Sequence, residues 1–90
     1  MSGAGTSPEP AARLALLTRR ECGLCEELLL ELEALRARVP GVPAARSVDV
    51  DADPALQRRW GMKVPVLLLD GALVCSGRLD APELLRLLRL

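Results

Sequence analysis

Ninety residues make one domain, near the lower size at which a single core holds without staples. Twelve basic residues cancel twelve acidic ones and neither sign gathers into a long block, which excludes the basic face that nucleic acid or an anionic membrane selects. Half of the residues are apolar, yet Phe and Tyr are absent and Trp occurs once, so aliphatic packing must build the core.

Residues 1–11, MSGAGTSPEPA, are small, polar and rich in Pro and Gly, with no basic stretch leading into an apolar one. They read as a flexible tail ahead of a domain over residues 12–90, and not as a signal peptide. No apolar run of about eighteen residues occurs, so a membrane-spanning helix is not expected. Without an export signal the expected location is the cytoplasm, where thiols stay reduced and a static structural disulfide is out of place.

Arg13 to Leu17 is a short apolar run that ends in the polar loop Thr18–Glu21, which predicts a buried strand. From Cys22 the period changes. Leu24, Leu28, Leu32, Leu35 and Val39 predict one stripe of an amphipathic helix, with Glu26 and Glu27 in its first turn and Arg36 and Arg38 in its last, as the helix dipole favours. Pro40–Gly41 ends it. Val42, Ala44, Val48 and Val50 alternate through a second strand. Asp53–Pro54 opens a short helix, PALQRRW, which Gly61 closes. VPVLLL is the third strand, Asp70–Gly71 a hairpin turn and ALVCS the fourth strand. Asp80 caps a last helix with an acid, Glu83, three residues on, and with Ala81, Leu84, Leu85 and Leu88 on one face. The order is βαβαββα. The first two strands should lie parallel with a right-handed crossover, and the last two form an antiparallel hairpin.

Residues 19–28, RRECGLCEEL, place Cys22 and Cys25 three positions apart with Gly23 and Leu24 between them. Zinc needs four ligands, and this chain has no His and one further thiol, Cys75, so a single-chain metal site is not expected. A site shared between two copies stays open. Three cysteines is an odd count, so they cannot all pair within the chain. A redox pair fits the local physics. Cys22 lies where strand gives way to helix, and the unpaired amides there favour a thiolate, lowering its pKa from about 8.5. Cys25, inside the first turn, is close enough to form a disulfide and less open to solvent. Cys22 is therefore the attacking thiol and Cys25 the resolving one. Arg19 and Arg20 add to thiolate stabilisation, whereas Glu21 opposes it. Cys75 and Trp60 read as core, and Arg58 and Arg59 as a solvated helix face.

Val64–Pro65 follows about forty residues after the CxxC, and a proline there must sit at a strand edge or start. With TRRECGLC, VDVDADPALQRRWGMKVPVLLLDG and SGRLDAPEL in this order, the chain from Arg13 to Leu90 resembles the glutaredoxin and thioredoxin families. The nearest resemblance is to the small bacterial glutaredoxin-like proteins. It implies an α/β thioredoxin fold, a four-stranded mixed sheet flanked by helices, with Pro65 cis and lying against the disulfide. It also implies a thiol–disulfide oxidoreductase that acts on protein or glutathione mixed disulfides. Its partners would be a disulfide-containing protein and a thiol or reductase donor. No cofactor would be tightly bound, and glutathione is the candidate co-substrate. Lys63, Val64, Pro65, Gly77 and Arg78 would line the substrate or glutathione side. Leu24 stands where glutaredoxins commonly carry an aromatic residue, and Lys63 where they carry Thr. Cys75-Ser76-Gly77 and Arg78 replace their glycine pair and following acid, and Glu21 stands where thioredoxins carry Trp. Two other readings stay open. One is a module of this fold whose cysteines are redox-inactive or hold a metal or Fe–S cluster. The other is a subunit whose association responds to redox state.

Overall fold

The computed structural model describes residues 12–90, and the tail expected over 1–11 lies outside them. Strand β1 (Leu14–Thr18) leads into helix α1 (Gly23–Arg38), which returns the chain to β2 (Ala45–Asp49). A 3-10 turn (Val50–Ala52) and helix α2 (Pro54–Trp60) precede the hairpin of β3 (Val66–Leu69) and β4 (Ala72–Ser76), and α3 (Ala81–Leu88) completes the chain. The sheet order is β2-β1-β3-β4. β1 and β2 run parallel, with Leu14 opposite Ala45, and the other pairs are antiparallel. This is the βαβαββα order expected, and the thioredoxin-type fold that the family resemblance implied.

The two sheet faces carry different helices because β1 alternates. Leu14 and Leu16, both fully buried, face Leu28, Leu32 and Leu35 of α1 and Leu84 of α3. Leu17 faces the other way and packs with Val50 and Val66, against which Leu56 and Trp60 of α2 rest. Trp60 is thus partly core, as expected, while Arg58 and Arg59 are exposed. Each leucine buried in full contributes about 1.5–3 kcal/mol, the main compensation for the missing aromatics.

Local signals acted as read. Asp53 accepts from the amides of Ala55 (2.9 Å) and Leu56 (3.5 Å) with Pro54 in the first turn, and Asp80 accepts from Glu83 N at 3.1 Å. Asp70 and Gly71 both take positive φ, 51° and 87°, as a tight hairpin turn requires.

Two expectations need correction. Leu24 is not part of the α1 stripe: it is 50% exposed, and buried Cys25 begins the stripe instead. At roughly 100° per residue Leu24 and Cys25 lie about 50° to either side of the Leu28, Leu32 and Leu35 stripe, so the helix period does not choose between them and the packing of α1 on the sheet does. The second strand is shorter than its alternation suggested. Val42 is buried ahead of it, and Val50 belongs to the 3-10 turn because Asp49 Oδ1 accepts from Asp51 N at 2.9 Å and bends the chain. Gly61 caps α2 with a right-handed φ of −55°, so its glycine is required by space and not by backbone sign.

Candidate active site

Burial of Leu16 and Leu17 anchors β1, and the chain beyond Thr18 must turn sharply to start α1 on the same sheet face. Glu21 makes that turn with a left-handed φ of 54°. Cys22 follows in extended conformation as the N-cap of α1, a place usually held by Ser, Thr, Asp or Asn. Its sulfur takes the acceptor's role: Cys25 N donates to Cys22 Sγ at 3.1 Å. Cys22 and Cys25 form a disulfide with their Cα atoms 5.2 Å apart, inside the ordinary range. Cys22 is half-buried and Cys25 is 4% exposed, so an approaching sulfur meets Cys22 first. When the bond is open, the amide on Cys22 Sγ and the N-terminus of a sixteen-residue helix both favour a thiolate there.

A cavity of about 280 Å³ opens beside the disulfide, lined by both cysteines with Thr18, Arg19, Arg20, Glu21, Leu29 and Ser47 among others. The predicted supporting residues Arg19 and Arg20 are thus brought to the cysteines. Arg19 nevertheless directs its guanidinium to Asp51, with Nε to Oδ2 at 3.0 Å and Nη2 to Oδ1 at 3.2 Å. That pairing holds the Asp51 carboxyl below its ordinary range, chiefly through the hydrogen bond from Arg19. Gly23 and Leu24 are both exposed in the first turn of α1.

The Val64–Pro65 peptide is cis and Pro65 is fully buried immediately before β3. Pro65 O accepts from Gly77 N at 2.8 Å, and Ser76 Oγ donates to Lys63 O at 2.5 Å. Lys63, Val64, Pro65 and Gly77 are therefore joined as one unit, with Gly77 at φ 86°. The Lys63 side chain is exposed, its ammonium 5.9 Å from the Trp60 ring centre. Arg78 is not turned to the cysteines: Nη2 donates to Glu31 Oε2 at 3.2 Å, well along α1. Cys75 is buried and free, opposite Leu67 across the hairpin, and burial pushes its thiol up. Sequence reasoning missed Asp51, Glu31 and Ser47. The acidic run from Asp49 to Asp53 was the available signal for Asp51, but its arginine partner lies 32 residues away.

Among the described residues no three His, Cys, Asp or Glu side chains gather as a metal ion would need, and no helix is long and apolar enough to cross a membrane. The βαβαββα topology, the CxxC disulfide at the start of α1 and the cis proline before β3 define a glutaredoxin- or thioredoxin-type dithiol module. Residues 13–89 match the Glutaredoxin-like domain family (DUF836), and the chain belongs to that family. It is similar to a structural-genomics target protein from X. campestris, XcR50, at 36% identity over 84% of this chain and 95% of that one, with a TM-score of 0.62. Protein Ne2328 of Nitrosomonas europaea is 26% identical over 78% of this chain and 82% of its own, with a TM-score of 0.68. The holo form of glutaredoxin C1 from Populus tremula × tremuloides shares the fold at 18% identity, covering 88% and 85% of the two chains, with a TM-score of 0.54. None of the curated proteins matches the chain.

Proposed function

We propose that this protein is a thiol–disulfide oxidoreductase that reduces protein disulfides or glutathione mixed disulfides, working in the cytoplasm. The observation that carries this reading is the asymmetry of the pair. Cys22 is accessible and accepts a main-chain hydrogen bond at a helix N-terminus, whereas Cys25 is buried within bonding reach. The Cys22 thiolate attacks one substrate sulfur, forming a mixed disulfide and releasing the other sulfur as a thiolate. Cys25, on losing its proton, then attacks Cys22 Sγ and expels the second substrate thiolate. Two electrons pass to the substrate and the Cys22–Cys25 disulfide remains. A thiol donor, glutathione or a protein reductase, returns it to the dithiol. The unit made by Lys63, Val64, Pro65 and Gly77 supplies the backbone along which the substrate sulfur aligns, and the family membership supports that role.

Thiol trapping of the Cys75→Ser protein across glutathione redox buffers tests the reading. A reversible two-electron midpoint of roughly −200 to −270 mV is expected, as for known oxidoreductases. Cys22→Ser should lose all turnover, while Cys25→Ser should accumulate the mixed disulfide. A pair that never closes, or closes irreversibly, would end the oxidoreductase reading.

A further inference from the structure

The loop that carries Cys22 and the loop that enters Val64–Pro65 come from different elements, and one side chain reaches from the first to the second. The Arg19 guanidinium makes its two hydrogen bonds to Asp51 in the 3-10 turn after β2. Asp51 Oδ1 also accepts from Gln57 Nε2 of α2 at 3.1 Å. The main-chain carbonyl of the same Gln57 accepts from Gly61 N at 2.9 Å, and Trp60 O accepts from Lys63 N at 2.8 Å, one residue before the cis peptide. Gly61 is buried, and a Cβ on it would lie 3.2 Å from Arg19 Nη2 and 2.5 Å from Gln57 O. The guanidinium therefore packs against the start of the proline loop where only glycine leaves room.

We propose that Arg19 is a positioning residue: through Asp51, Gln57 and Gly61 it sets the Cys22 loop against the Lys63–Pro65 loop. Its kinetic consequence rests on the oxidoreductase reading above. Asp51 neutralises the Arg19 charge at contact distance, so little of its field is left for Cys22. The paired geometry fixes direction as well as distance, which a single point charge does not. An exposed ion pair contributes little to global stability, so its loss should displace the loops more than it unfolds the protein.

The test compares Arg19→Ala, Arg19→Lys, Asp51→Asn and the Arg19→Ala/Asp51→Asn double variant. Disulfide exchange is measured above the titration of Cys22, Cys22 alkylation is followed against pH in the reduced protein, and hydrogen exchange is read at the Gly61 and Lys63 amides. Exchange with substrate should slow by about tenfold to a hundredfold in both single variants, the range a misplaced reacting group gives. The double variant should be no slower than either single one, because all break one connection. Arg19→Lys should restore only part of the rate. The Cys22 titration should stay in place, while the Gly61 and Lys63 amides exchange faster. Opposite shifts of that titration, up in Arg19→Ala and down in Asp51→Asn, would make Arg19 a thiolate-stabilising charge and overturn the proposal. Unchanged amide exchange would overturn it as well. If the wild-type protein exchanges no disulfides while the amides still loosen in the variants, the oxidoreductase reading falls and the positioning stands.

Discussion

Three cysteines of one chain sit in three surroundings, and reactivity should follow surroundings more than sequence position. In the reduced protein, limited alkylation should modify half-buried Cys22 ahead of buried Cys25 and Cys75, and burial among apolar side chains keeps the Cys75 thiol neutral. Peptide mass mapping reads the order, and early labelling of Cys75 in native protein would remove it from the core. Arg78 gives a second test at this scale. Glu31→Gln frees its guanidinium, and KM for a glutathione mixed disulfide should fall if Arg78 serves that substrate; an unchanged KM takes Arg78 out of the site. Gly71 is required for a different reason from Gly61, where a Cβ would meet Gln57 O at 2.5 Å. A Cβ on Gly71 would meet nothing within 4 Å, but its φ is 87°. Gly71→Ala should therefore cost about 1–2 kcal/mol through the backbone alone, and Gly71→Asn clearly less, measured by urea unfolding.

Among the elements, α2 depends most on its ends. Seven residues cannot hold a helix in water, so α2 persists through the Asp53 cap and the packing of Leu56 and Trp60 on Leu17, Val50 and Val66. Asp53→Ala should cost about 0.5–2 kcal/mol. Hydrogen exchange over residues 55–61 should then rise before the sheet opens; equal loss of protection everywhere would mean that α2 is not a separate unit. Acid acts on the same corner. The folded value of the Asp51 carboxyl is depressed, first by the hydrogen bond from Arg19, and that of Glu83 likewise by Arg86 on α3. Their contributions are thus present above the ordinary carboxylate range and are lost as pH falls through the depressed folded values. Unfolding midpoints should drop as pH goes below about 4. The Arg19–Asp51 pair is exposed, so Asp51→Asn should change that acid limb only slightly; a clearly flattened limb would show that this pair holds the fold as well as the loops.

At the scale of the molecule, stability rests on leucines. Leu28 and Leu32 are fully buried between α1 and the sheet, and the single aromatic ring of the chain, Trp60, packs on the other cluster with Leu17, Val50 and Val66. Leu32→Ala should cost about 2–5 kcal/mol, a large share of the roughly 5–15 kcal/mol that holds a small domain. Thermal unfolding followed by circular dichroism checks this. A melting point close to that of the wild type would mean that the core closes around the deletion. Because α1 carries both site cysteines at its start, loss of this packing should also impair disulfide closure.

What the sequence determined by itself lies in short-range rules. Element order, the caps at Asp53 and Asp80, the Asp70–Gly71 turn and the placing of Cys22 at a helix start each depend on residues a few positions apart, whose geometry the backbone dictates. The cis state of Pro65 followed from resemblance, since local preference favours trans. Tertiary structure decided which way the charged side chains turn. Arg19 pairs with Asp51 across 32 positions and Arg78 with Glu31 across 47, in a chain with many acids and bases to choose among. Those choices depend on how β1, the 3-10 turn and α1 lie in space. Chain packing sets that arrangement, and no local pattern encodes it. Cys25 replaced Leu24 at the head of the buried stripe for a related reason: the helix begins at Gly23, and its phase against the sheet is set by the leucines further along.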